Sequence, residues 1–186
     1  MSAHPLETGL RAGIEALGLE LNDEQVGKLL SYLDWVAKWN KVYNLTALRD
    51  PQEMLTHHLL DSLAAVAPLR RQLAAMGLAK PRLLDVGSGA GLPGAVFAIV
   101  CPELDVSCVD TVAKKALFIQ QIAAALRLPN LHGIHARVET QPGTRENHDR
   151  HGRRTGAGQE GRQHHIVQRQ GERQQPRRAQ RLRDVR

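Results

Sequence analysis

The chain has 186 residues, enough for one domain of ordinary size, and 42% of them are apolar but only 3% aromatic, so a core must be filled by Leu, Ala and Val. The formal charge of +6 is unevenly held: residues 1–140 carry 13 Lys and Arg against 14 Asp and Glu, whereas residues 141–186 carry 12 Arg against five acids. Two cysteines, Cys101 and Cys108, exclude a disulfide framework, and the absence of a signal-peptide pattern or an apolar run of about 20 residues points to a cytoplasmic protein without a membrane span.

Residues 7–79 read as helical. Val26, Leu29, Leu30, Leu33, Val36 and Ala37 recur at the spacing of one helical face, with Asp23 placed to cap that helix and Trp35 and Trp39 four apart on it. Asp50-Pro51-Gln52-Glu53 predicts another helix start, with a cap, a proline in the first turn and a capping-box acid. That helix carries Met54, Leu55, His58, Leu59 and Leu63 before Pro68 interferes. From Arg82 the pattern alternates: a strand over 82–86, a short helix over 93–100, a strand over 106–109, a helix over 114–127 and, after the Pro129-Asn130 turn, a third strand over 131–135. This order is the signature of right-handed parallel crossovers. The expected fold class is therefore α/β: a helical extension over 1–80, the first half of a Rossmann-like sheet over 81–140, and a basic tail over 141–186.

The chemistry concentrates at Leu83-Leu84-Asp85-Val86-Gly87-Ser88-Gly89-Ala90-Gly91-Leu92-Pro93-Gly94, a buried strand entering a glycine-rich turn and then a helix. Two frames fit it. Gly89 to Gly94 matches the dinucleotide fingerprint G-x-G-x-x-G, and Asp85 to Gly91 matches the D-x-G-x-G-x-G loop of S-adenosylmethionine-dependent methyltransferases. Glycine begins directly after Val86, which favours the second frame, and Pro93 removes a main-chain N–H that a pyrophosphate would use. S-adenosylmethionine has no phosphate and carries an amino group that Asp85 can face, directly or through water. Asp110 ends the next apolar run, 23 positions after Gly87, the place of a ribose-binding carboxylate in a doubly wound fold; its structural alternative is to cap the following helix.

Residues 1–139 resemble the bacterial glucose-inhibited division protein B family, small-subunit ribosomal RNA methyltransferases that make 7-methylguanosine. The resemblance rests on Trp39-Asn40-Lys41-Val42-Tyr43-Asn44-Leu45-Thr46-Ala47, the segment His57-His58-Leu59-Leu60-Asp61-Ser62-Leu63, the glycine loop, Val109-Asp110 followed by Lys114-Lys115, and His135-Ala136-Arg137-Val138-Glu139. It implies a class I methyltransferase fold, S-adenosylmethionine as cofactor, and small-subunit ribosomal RNA or the assembling particle as partner of a monomeric enzyme. It also carries the family's cofactor contacts onto Gly87, Leu92, Val138 and Glu139. With Asp85, Gly89, Gly91 and Asp110 these complete the candidate cofactor set; no metal ligands are assigned. The family's cofactor-side Ser-Arg-Ala-Phe segment after a fourth strand has no counterpart in this sequence.

Methylation of guanine N7 needs no general base, because that nitrogen already carries an in-plane lone pair; orientation can supply the catalysis, and no catalytic residue is assigned. Lys114 and Lys115 are placed either to meet RNA phosphate or to lie solvated at a helix start. His57 and His58 read as packed or solvated rather than RNA-facing, and Trp35 and Trp39 as core. Residues 141–186 hold no aromatic residue and no lysine but eight Gln, and only six apolar residues, Ala157, Ile166, Val167, Ala179, Leu182 and Val185. Such a segment reads as disordered. Three origins are open for it: an RNA-binding arm, a neutral spacer, or a GC-rich gene read out of frame after Glu139, the last favoured by the abrupt end of the resemblance. Alternatives for the whole chain are a non-catalytic RNA-binding remnant and a dinucleotide-binding protein.

Overall fold

The computed structural model describes residues 4–137 and 165–169. The N-terminal half is helical: α1 (Glu7–Ala16), α2 (Asp23–Tyr43), α3 (Pro51–Met54), a π-helical turn (Leu55–Leu60), α4 (Asp61–Ala64) and α5 (Val66–Met76). The cap of α2 is Asn22, not Asp23: Asn22 Oδ1 accepts the Gln25 N–H at 2.9 Å and Gln25 Oε1 accepts the Asn22 N–H at 3.1 Å. This reciprocal pair requires an amide or carboxylate three positions on, which Asn22 has in Gln25; Asp23 instead takes Arg11 Nη2 at 2.8 Å. Asp50 caps α3 as expected, its Oδ1 accepting from Gln52 and Glu53 N–H at 2.9 and 3.0 Å. Pro68 does not end a helix. The chain breaks at Ala65, and Pro68 sits in the first turn of α5, where an N–H has no intrahelical partner to lose.

The second half alternates β1 (Arg82–Val86), α6 (Gly94–Val100), β2 (Asp105–Asp110), α7 (Ala113–Ala125) and β3 (Leu131–His135), matching the expected order with ends moved by a residue or two. A further strand, β4 (His165–Arg169), lies parallel to β1, with Leu83 opposite Ile166 and Leu84 opposite Val167. The sheet is parallel throughout, in the order β3-β2-β1-β4. This corrects the expectation of disorder at that stretch: averaged over 141–186 the composition is too polar, but Ile166-Val167 are adjacent β-branched residues, which suit a strand. The rest of the tail lies outside the described residues.

One cluster of buried side chains runs from Leu10, Leu29 and Leu33 through Val96, Phe97 and Ile99 to Ile119 and Ile122. The helical extension and the sheet therefore share a core. Helix α2 runs along α6, bonding the C-terminal end of that helix and the loop that precedes it. Gln25 Nε2 donates to Ile99 O and Val100 O at 3.4 and 3.3 Å, and the Tyr32 hydroxyl donates to Ala90 O at 2.8 Å. Among the described residues no helix is long and apolar enough to cross a membrane.

Candidate functional site

The loop between β1 and α6 turns most of its amides inward. Gly87 N–H donates to Val109 O at 2.8 Å and Gly89 N–H to Asp110 Oδ2 at 3.1 Å. Gly91 and Leu92 N–H both donate to Ser88 O (2.8 and 3.0 Å), Gly94 N–H to Asp85 Oδ2 (3.0 Å) and Ala95 N–H to Gly91 O (2.6 Å). Gly87 has φ +73°, and a Cβ built there meets no heavy atom within 4 Å, so the outer side of the loop is open at this point. Gly91, at φ +89°, is different: its Cβ would run into the Ile119 side chain of α7. The Leu92-Pro93 peptide is cis.

Asp85 is fully buried beneath the loop. Its Oδ2 takes the Gly94 N–H and lies 3.9 Å from Cys108 Sγ, while its Oδ1, like the buried Ser88 Oγ, has no hydrogen-bond partner among the described residues. Burial pushes the Asp85 carboxyl up to about 7, opposed by the Gly94 N–H and the Cys108 thiol. Burial, and then the Asp85 charge, raises the thiol of Cys108, and both cysteines are buried and free. Burial likewise raises Tyr32 well above its ordinary value. The underside of the loop is thus buried, and among the described residues one oxygen of the Asp85 carboxyl there has nothing to accept from.

Asp110, 7% exposed, is engaged by the protein through both oxygens. Oδ1 accepts the Val112 N–H at 2.8 Å, the bond of a strand-end cap, and Oδ2 holds Gly89 with Lys115 Nζ 3.8 Å away. The structure therefore brings Asp85, Gly87, Gly89, Gly91, Leu92 and Asp110 into one loop-centred cluster. Val138 and Glu139 lie outside the described residues. His58 is packed, its Nε2 2.9 Å from Thr46 Oγ1, whereas His57 is exposed with Nδ1 3.8 Å from Asp61 Oδ2. Trp35 and Trp39 pack against the core, and Trp39 meets the rings of Tyr43 and Phe118 at 5.0 and 5.3 Å.

Sequence reasoning missed Tyr32. On a helical face a tyrosine reads as core, and core it is, but its hydroxyl fixes the carbonyl of Ala90 in the middle of the loop. The available signal was a tyrosine at a position otherwise filled by Val and Leu, since a buried phenol needs a partner. Tyr32→Phe keeps the ring and leaves the Ala90 carbonyl unpaired, at an expected cost of about 1–3 kcal/mol. Thermal melting should register that loss; a melting temperature equal to the parent's would show the bond to be idle.

Comparison with known proteins adds the family. The model described as GidB, rRNA small subunit methyltransferase G, matches residues 25–152, a span that runs past Glu139. A protein of Acidovorax sp. (strain JS42) named ribosomal RNA small subunit methyltransferase G is 70% identical over 142 residues, covering 74% of this chain and 63% of that protein. Proteins of the same name from Paracidovorax citrulli (strain AAC00-1) and Albidiferax ferrireducens (strain ATCC BAA-621 / DSM 15236 / T118) are 66% identical over 151 residues and 61% over 145, covering 77% and 74% of this chain and 62% and 65% of their own lengths. The chain thus spans under two thirds of the length of these relatives.

Proposed function

The chain belongs to the rRNA small subunit methyltransferase G family, and from that premise we propose that its glycine loop binds S-adenosylmethionine and serves methyl transfer to guanine N7 of small-subunit ribosomal RNA. The observation that carries the cofactor assignment is the loop's hydrogen bonding. The amides of Gly87, Gly89, Gly91, Leu92, Gly94 and Ala95 all donate to protein acceptors, and Pro93 has none to give. A dinucleotide pyrophosphate is held by free amides at a helix start, and these are spoken for. A cationic ligand has the opposite need, an acceptor, and Asp85 Oδ1 is a buried acceptor without a donor among the described residues.

The residues present fit the group. Gly87 leaves room for a ligand to approach the main chain, Asp85 accepts the ligand's ammonium directly or through a water, and Asp110 offers its carboxylate to ribose hydroxyls while holding Gly89 in place. Bound S-adenosylmethionine supplies a methyl group on a sulfonium centre. The protein's part is positional: the loop, fixed from below by Tyr32 and from the side by Asp110, sets the line between that methyl and the incoming N7, and such orientation is worth several kcal/mol. No side chain is asked to remove a proton, because N7 carries none.

Calorimetry with S-adenosylhomocysteine and with NADH tests the cofactor, and labelled methyl transfer into small-subunit RNA, followed by cleavage selective for 7-methylguanine, tests the reaction. Binding of the homocysteine ligand together with label at 7-methylguanine is the expected pair of results. Tight NADH binding with no response to S-adenosylhomocysteine would overturn the cofactor reading. Cofactor binding without any transfer to RNA would leave the non-catalytic alternative.

A further inference from the structure

At the loop end of the molecule the surface changes character. The exposed large hydrophobic residues among the described ones are Val42, Tyr43, Val112 and Leu117, and all four fall on the last turn of α2 or the start of α7. The two sites are one surface: Lys114 Nζ lies 5.7 Å from the centre of the Tyr43 ring, and Trp39 bridges beneath from Tyr43 to Phe118 of α7. Lysines surround this apolar centre. Lys38 and Lys41 are exposed on α2 and Lys114 on α7, and residues 35–49 and 111–121 contain no Asp or Glu at all. This is unlike the rest of the first 140 residues, where acids and bases balance. The corner also adjoins the candidate cofactor site, through Lys115 on Asp110 and Asp110 on Gly89.

We propose that this corner, Val42, Tyr43, Val112 and Leu117 framed by Lys38, Lys41 and Lys114, is where the protein docks single-stranded or looped RNA beside the cofactor loop. The inference rests on the RNA substrate proposed above. A protein partner's docking site would call for charges of both signs around an apolar centre, whereas a frame of Lys38, Lys41 and Lys114, with Asp34 one turn before Lys38 as its nearest acid on α2, complements phosphate. The exposed aromatic and aliphatic surface gives unstacked bases something to lie against, and bases are accessible in that way in RNA loops rather than in duplex. Phosphates on the frame and bases on the centre would hold a strand at the mouth of the site.

Lysine distribution makes the test clean. Residues 141–186 contain arginine but no lysine, so amine acetylation is silent toward RNA held by that segment. Lys28 and Lys80 are internal controls: Lys28 lies on the part of α2 that meets the far end of α6, and Lys80 precedes β1, at the opposite end of the strands from the loop. The full chain is acetylated with and without refolded small-subunit ribosomal RNA, and each lysine is quantified by peptide mass spectrometry while filter binding follows the complex. With RNA at about ten times its Kd, acetylation at a covered lysine should slow by about tenfold. Lys38, Lys41 and Lys114 should show that protection, and Lys28 and Lys80 should not. RNA retained on the filter with unprotected Lys38, Lys41 and Lys114 overturns the corner and leaves the proposed function standing. A chain that binds S-adenosylhomocysteine but retains no RNA removes the RNA substrate itself, and the corner with it. Protection that appears without RNA as the protein is concentrated would make the corner a contact between copies and also overturn the inference.

Discussion

Gly87→Val should abolish binding of S-adenosylhomocysteine while leaving a folded protein. The substitution places a branched side chain at φ +73°, a conformation costing roughly 1–3 kcal/mol for a residue with a Cβ. That cost is bearable within the ordinary 5–15 kcal/mol of a domain, so helix content should change little. The added atoms enter the open side of the loop, where they meet no protein atom within 4 Å. If a ligand occupies that space, the valine and the ligand cannot both be there, and affinity should fall by at least about 100-fold, near 2.7 kcal/mol. Calorimetry alongside far-UV circular dichroism separates the two effects. Unchanged affinity in the valine variant would remove Gly87 from the site. Gly94→Ala makes the useful contrast: its Cβ would lie 2.6 Å from Cys108 Sγ and 2.7 Å from Asp85 Oδ2, so that variant should lose about 1–3 kcal/mol of stability by overpacking, a loss that thermal melting detects without any ligand.

Asp85→Asn should stabilise the free protein and weaken the complex. A carboxyl raised from 3.8 to about 7 on folding binds more protons in the folded state than in the unfolded one between those values. The stability this provides is complete below about pH 4 and is lost as pH rises through 7, up to a few kcal/mol for a shift of this size. Asparagine does not ionise and keeps an oxygen for the Gly94 N–H. Its melting temperature should therefore exceed the parent's at pH 8, and the gap should close toward pH 4. The variant lacks the negative charge that would meet a ligand's ammonium, and since a charged hydrogen bond contributes about 1.5–3 kcal/mol, affinity should fall some tenfold to hundredfold. Melts at both pH values and calorimetry at pH 8 check both halves. A variant less stable than the parent at pH 8 would mean that the buried carboxylate is better compensated than its unpartnered Oδ1 suggests.

The parts of this fold that were legible in the sequence are those decided by local chemistry. β1 and β3 begin and end where read, because Pro81 and Gly87 bracket one apolar run and the Pro129-Asn130 turn opens the other. The shape of the loop was legible for the same reason: a cluster of glycines between a strand and a helix marks a turn with positive φ, as Gly87, Gly89 and Gly91 have. What stayed hidden depends on partners far away in the chain. The π turn at Leu55–Leu60 contains His58, which meets Thr46, and no short-range pattern announces it. β4 forms by pairing with β1, some 80 positions earlier, and its two β-branched residues were lost in an average over a polar segment. The bond of Asp110 Oδ2 to the Gly89 N–H, 21 positions away, was likewise not legible, because it forms only when the loop folds back over the end of β2.

The grip of α2 on α6 has a consequence for how the protein is made. The contacts of α2 with the loop and with the far end of α6 join residues 58, 74 and 75 positions apart, and such closures are slow to form compared with local turns. A chain emerging N-terminus first has α2 in hand before Ala90 or Val100 exists, so the helical half waits as a template and the loop acquires its shape when the later segment folds onto it. Competence to take up the ligand would then arrive as one of the last events of folding, and the appearance of that binding during refolding would serve as a clock for the long-range closure.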